Sequence, residues 1–310
     1  MPKALQIRAA IGACWLAGLM LMAIVAFIVI HLAYKGLGAV SWEFLTSPAS
    51  EGGSINEGLA GGVRDQIVGT LLLIMGGIAI AAPLGIGTAI FLAEYGRPRW
   101  LVRVVETSIE VVFGVPAVIF ALFGVAIFTN PQFIFLSDEV GSSGLAYGKS
   151  FFVASTMMAM LALPLVVRST QEAMRSVSQI QREASYALGK SRFTTIRRIV
   201  MPSSRAGIAT GVILGIGRIA GDTAIVFLLL GGTLAFGASA EWYAPDHWQE
   251  TLQNTGGSLT SYVYFASPVG EGNSEEKSYG AAFVLVVMMV LINLAVSLIA
   301  RRTAKGMVAA

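Results

Sequence analysis

One cysteine, two histidines and few charges mark this sequence first. Only 13% of its 310 residues are charged, against about 25% in an ordinary soluble domain. The single cysteine, Cys14, excludes an internal disulfide and a cysteine-based metal cluster. His31 and His247 belong to no HExxH spacing, and no nucleophile–base set accompanies them. Two stretches imitate a phosphate-binding loop without its glycines. "ALGKS" has Ala184, and "YGKS" has Ser143, where the loop needs its first Gly. The chain therefore carries no ATP-binding loop of its own.

What it does carry is apolar length. Hydrophobic residues make up 55% of the chain, and its mean hydropathy is +0.73. They gather into six stretches, at 11–34, 66–93, 107–128, 151–172, 206–233 and 279–300. About 20 apolar residues in a helix cross the hydrocarbon, and backbone groups there must pair within the segment. The expected fold class is all-α, a polytopic membrane protein with six transmembrane helices in one domain over 1–310. The first run is longer than the ~7–15 residues of a signal-peptide core, so an uncleaved first helix is expected.

Lys and Arg set the orientation. With the N-terminus inside, fifteen fall on inner connections, and only Lys35, Arg64, Lys149 and Lys277 on outer ones. The positive-inside rule places both termini in the cytoplasm. The last outer connection, 236–278, is acidic, with Glu241, Asp246, Glu250, Glu271, Glu275 and Glu276. The net charge of +3 thus belongs to one membrane face, and a nucleic-acid partner has no support.

Residues 173–205, "AMRSVSQIQREASYALGKSRFTTIRRIVMPSSR", lie on the inner side. Small and apolar residues recur at helical spacing on both sides of Gly189, and Pro202 closes the segment. The pattern predicts a helix, a glycine turn and a second helix. Glu183-Ala184-Ser185, three residues, Gly189, nine residues, Ile199, one residue and Met201-Pro202 resemble the EAA loop of ABC-importer permeases. Ser185 stands for the usual Ala and Met201 for Leu. The stretches "GGVRDQIVGTLLL", "APLGIGTAIFLAEY", "FGVPAVIFALFG", "LPLVVRSTQEAM" and "GRIAGDTA" narrow the resemblance to phosphate-specific transport permeases, in particular the A-type subunit. In the last stretch the family's G-E-T-A-P becomes Gly221-Asp222-Thr223-Ala224-Ile225.

The resemblance implies a type I ABC-importer permease (MetI-like) fold without catalysis of its own. It implies a second, C-type permease subunit, an ATP-binding subunit dimer, an extracytoplasmic phosphate-binding protein and inorganic phosphate as cargo. ATP and Mg would be bound by the partner subunits. Glu183, Ala184, Ser185, Gly189, Ile199 and Pro202 would couple this chain to the ATPase. Permeases for other oxyanions, molybdate or sulfate, are the nearest alternative. An ion-coupled secondary transporter would need repeats with broken helices, and none is visible.

Two charges stand inside the fifth run. At 3.6 residues per turn, Gly207, Gly211, Gly215, Arg218 and Asp222 share one face about 80° wide. Glycines four apart let another helix approach closely, so Arg218 and Asp222 face protein or a passage. Either they clasp two helices, or Arg218 offers its guanidinium fork to an oxyanion while Asp222 orients it. Arg168, near the inner end of the fourth run, reads by position as snorkelling. The resemblance instead implies a place on the phosphate path. Glu106 and Glu110 read as interfacial, and Pro83, Pro116 and Pro164 as sites of kinks.

Overall fold

Amides within long apolar runs have only their own carbonyls as partners, and the chain resolves into helices. The computed structural model describes residues 3–49, 59, 61–137, 148–231, 247–270, 272 and 274–305. The first half holds α1 (Lys3–Gly36), the short α2 (Trp42–Thr46), α3 (Arg64–Ile90), α4 (Arg99–Gly114) and α5 (Ala117–Phe128). A π-helical turn, Phe91–Tyr95, extends α3. The second half holds α6 (Phe151–Arg175), α7 (Gln179–Ala187), α8 (Arg192–Ser203) and α9 (Arg205–Ala220). The short α10 (Trp248–Gln253) and α11 (Leu259–Ala266) precede α12 (Glu275–Lys305). Among the described residues there is no strand, only one isolated bridge between Gly231 and Gly256.

Four helices, α1, α3 with its π turn, α6 and α12, are long and apolar enough to cross a bilayer singly. Six spans result when each of two bent pairs counts as one: α4 with α5, bent by 105°, and α8 with α9, bent by 69°. Neither of the stretches expected at 107–128 and 206–233 is one continuous helix. Pro116 drives Val115 out of helical conformation, to φ −79° and ψ 129°, because a proline ring crowds the residue before it. Span 206–233 breaks after Ala220, where Gly221 ends α9 and Asp222 accepts the amide of Ile225 at 2.9 Å. A second helical piece over 224–230 follows and ends at Gly231, with φ +101°. Of the three expected kinks only Pro116 marks a break; α3 and α6 continue through Pro83 and Pro164.

The core forms around α6, which packs between α3 and α9. Glycines make both contacts close. A Cβ added to Gly85 of α3 would lie 2.8 Å from Val166, and one on Gly207 of α9 only 2.2 Å from the Ala173 Cβ. Gly211 and Gly215 meet Ser169 and Val166 in turn, so α9 runs antiparallel to α6, with its glycine face at the close approach expected. The 224–230 piece completes that run, with Ile225, Val226, Leu229 and Leu230 buried beside Phe128, Met157 and Met158. A separate cluster joins Phe44, Leu59, Val63, Leu259, Tyr262 and Ala281 near the start of α3.

Candidate functional site

Two places bring the sequence-marked residues together. The first is the α7–α8 hairpin. Ser178 caps α7 by accepting from the Ile180 amide, and Ser191 caps α8 by accepting from Thr194. Between them Gly189 adopts φ +71°, the left-handed region that a side chain resists. Ser185 is buried, its hydroxyl 2.8 Å from that of Thr195, and this bond holds α7 against α8. Glu183, Ala184 and Gly189 are exposed, and Glu183 accepts from Gln179 at 3.3 Å. Ile199 and Pro202 are half-buried towards the helix ends. Large apolar side chains stand out from the hairpin as well: Ile180 is 76% exposed and Leu188 77%.

The second place is the α6–α9 pair. Arg218 Nη1 lies 3.4 Å from Asp222 Oδ2, with the Arg side chain 38% exposed and the Asp 4%. The carboxylate is fixed by the Ile225 amide and the Arg comes to it; no hydrogen bond from Arg218 forms among the described residues. Asp222 therefore does not sit on the helical face computed for a continuous span; it caps the next helical piece. Arg168 donates to Glu110 Oε1 at 2.6 Å. Gln171 and Arg175 reach Glu106 at 3.2 and 3.5 Å. The Arg168–Glu110 and Arg175–Glu106 pairs lie at the surface of the chain, whereas Gln171 is buried.

The antiparallel register fixes the spacing of the two arginines. Gly211 is level with Ser169 and Gly215 with Ala162 to Val166, so Arg218 sits roughly two turns, about 10 Å, along the axis from Arg168. They do not touch. Each has its own carboxylate. Glu110 was legible only as an interfacial charge, because its partner lies 58 positions away in the chain. A further pair that the sequence did not mark, Glu94 with Arg182, lies buried under the hairpin.

The chain thus has a helical core with arginine–carboxylate pairs along its packed helices and an exposed hairpin at one end. Residues 83–308 match the family model described as "Binding-protein-dependent transport system inner membrane component". The chain belongs to this family. It is 33% identical to phosphate transport system permease protein PstA 1 of Mycobacterium tuberculosis, over 80% of this chain and 73% of that one. It is 28% identical to the probable ABC transporter permease protein YqgI of Bacillus subtilis, over 93% and 92% of the two chains. In fold it is similar to a subunit of a bacterial alginate ABC transporter, with a TM-score of 0.59 at 17% identity over 96% and 99% of the chains.

Proposed function

We propose that this chain is a permease subunit of an ATP-driven phosphate importer and forms half of the translocation pathway. The observation that carries the reading is the pair of arginines, Arg168 and Arg218, set about 10 Å apart along the α6–α9 axis. Each is held by a carboxylate rather than buried alone. A guanidinium offers a planar fork to phosphate oxygens. The neighbouring carboxylate keeps the fork oriented and limits how tightly an anion is retained. Relatives named as phosphate transport permeases support phosphate as the cargo.

The second permease subunit would be a C-type chain, and relatives of that name match this sequence too. ATP and Mg belong to an ATP-binding subunit dimer, and an extracytoplasmic binding protein delivers phosphate. The exposed face of α7, with Ile180, Glu183, Ala184 and Leu188, docks on the ATPase. Gly189 supplies the turn behind it, while Ser185, Ile199 and Pro202 hold it in shape. Both termini lie in the cytoplasm of a cell membrane. A Lys190→Cys variant in a Cys14→Ser background then reacts with an impermeant thiol reagent only from the inner side.

Arg218→Gln tests the path. The complex should assemble while phosphate uptake falls to near background, and Arg218→Lys should recover only part of it, since an ammonium lacks the fork. Asp222→Asn should be milder. If the pair merely clasps helices, Arg218→Gln strands a buried carboxylate and assembly fails. Adding Asp222→Asn then restores assembly and uptake together. Recovery of uptake in that charge-free double variant refutes the role of Arg218, and uptake of sulfate or molybdate in preference to phosphate refutes the cargo.

A further inference from the structure

The apolar run of α3 ends in Phe-Leu-Ala-Glu-Tyr, residues 91–95. A carboxylate at the end of a span is ordinarily met by water, yet the Glu94 side chain is 5% exposed. Its Oε1 accepts from Arg182 Nη2 at 2.9 Å, and Arg182 itself is 12% exposed. The same guanidinium donates to the carbonyl of Met174 in the last turn of α6, at 2.7 Å, and to that of Val177 just beyond it. Arg192, the first residue of α8, donates to the backbone carbonyl of Glu94 and lies over the Tyr95 ring, 5.2 Å from its centroid. Beneath these bonds Met174, Val177, Ile196 and Val200 pack against Ile90 and Ala93 of α3.

The covalent chain joins the hairpin to α6 on one side and α9 on the other. Nothing in the connectivity joins it to α3. Beside the apolar contact of Ile196 and Val200 with Ile90 and Ala93, Glu94 supplies the directed bonds, to α7 through its carboxylate and to α8 through its carbonyl. A buried ion pair adds little stability over an apolar contact of the same shape. Directed, charge-assisted hydrogen bonds do fix one relative orientation. A contact of that kind is suited to carrying displacement rather than to holding the fold together.

We infer that Glu94 is a positioning residue: through Arg182 and Arg192 it fixes the α7–α8 hairpin to the inner end of α3, so that movement of the hairpin carries α3 with it. The inference rests on the reading of the hairpin as the ATPase contact. Without the Glu94 carboxylate α3 still follows α6 through their shared packing, but its inner end is no longer held in one orientation to the hairpin, and hydrolysis proceeds with little transport.

The test uses the complete complex, with ATPase and binding protein, in sealed vesicles. Glu94→Gln keeps the volume and an acceptor oxygen but removes the charge. The expected result is normal assembly, retained ATPase activity and at least a fivefold drop in phosphate moved per ATP hydrolysed. A Glu94→Cys, Arg182→Cys pair in a Cys14→Ser background should show the same drop, and bridging it with a short bis-maleimide should restore the ratio. An unchanged ratio in Glu94→Gln overturns the inference, as does loss of assembly, which marks a purely structural pair. Further loss of transport on bridging overturns it too, because hairpin and α3 would then have to part. Leu188→Asp, on the exposed hairpin surface, is run beside them. If it leaves ATPase capture unchanged, the docking reading fails; if it abolishes capture while Glu94→Gln stays coupled, only the inference about Glu94 fails.

Discussion

Gly207 gives the sharpest test of how α9 lies on α6. In a helix, replacing Gly by Ala ordinarily stabilises by about 0.8–1.0 kcal/mol. Here the added Cβ would lie 2.2 Å from the Cβ of Ala173, where carbon atoms need about 3.5–4.0 Å. The helices must separate by roughly 1.5 Å at that crossing. Overpacking of this kind costs about 1–3 kcal/mol. The separation also opens the bond from Ser169 Oγ to the Gly207 carbonyl, now 2.9 Å, worth about 0.5–1.5 kcal/mol. With the propensity gain set against these losses, Gly207→Ala should destabilise by about 2 kcal/mol. Denaturant unfolding of the purified chain in detergent measures it. Ala173→Gly removes the offending Cβ, and the double variant should return to within about 1 kcal/mol of the parent, the cost of a glycine in α6. Gly217→Ala on the same helix, where nothing lies within 4 Å, should be neutral or stabilising. A Gly207→Ala chain as stable as the parent, or one that Ala173→Gly cannot rescue, refutes this packing.

Gly189 has open space around a Cβ, so a substitution there meets only the strain of φ +71°. Gly189→Ala should cost about 1–2 kcal/mol and Gly189→Val more, with Asn, which tolerates the left-handed region, close to the parent; equal unfolding midpoints for the three would remove the need for a turn. Burial pushes the Tyr262 hydroxyl from 10.0 up to about 12. The fold favours the neutral phenol, so this contribution is whole below pH 10 and is lost as pH rises through 12. That hydroxyl has no hydrogen-bond partner among the described residues. Tyr262→Phe should therefore leave stability unchanged or raise it by about 1 kcal/mol, and should flatten the alkaline loss in unfolding curves recorded from pH 9 to 12.

The spans were legible because hydropathy integrates over about 20 residues and tolerates errors of detail. The same averaging hides breaks. Residues 107–128 and 206–233 keep a high mean hydropathy over their whole length, across Val115-Pro116 and even across the charged Gly221-Asp222-Thr223, so composition reads each as one rod. The local signals were present all the same: Gly114-Val115-Pro116 in one case, a glycine followed by a capping aspartate, Gly221-Asp222, in the other. The helix–turn–helix of the hairpin was legible because its signals are local, helically spaced small and apolar residues on both sides of one glycine; the capping serines, Ser178 and Ser191, came only with the structure. The glycine face of α9 was also legible, since periodicity fixes which residues share a side. What periodicity cannot supply is the partner across an interface. Glu110 with Arg168, Glu106 with Arg175 and Glu94 with Arg182 are 58, 69 and 88 positions apart, and each acid alone looks like an ordinary charge at a membrane edge.

The departure of Gly221-Asp222-Thr223-Ala224-Ile225 from the G-E-T-A-P pattern of the resembling permeases has a physical reading once the break is seen. A proline at the last position would bring no amide hydrogen and would need no acceptor. Ile225 does bring one, fully buried, and Asp222 Oδ1 accepts it at 2.9 Å. Aspartate is a strong helix cap; glutamate, with one more methylene, is not among the favoured capping residues. The two departures therefore compensate each other. Asp222→Glu alone should cost about 1–3 kcal/mol, by leaving a buried donor without its acceptor. Ile225→Pro alone should also destabilise, since it strips the carboxylate of the amide that fixes it. The backbone itself admits the ring, because Ile225 already has φ −66° and proline prefers about −65°. In the Asp222→Glu, Ile225→Pro double variant the loss should be smaller than the two single losses combined by about 1–2 kcal/mol. Unfolding of the four chains measures that coupling, and uptake by the assembled complexes shows whether the longer carboxylate still holds Arg218. Additive losses would mean that the cap does not set the carboxylate's place. A positive coupling would mean that the backbone sets it, and that the guanidinium is oriented by a group it does not itself position.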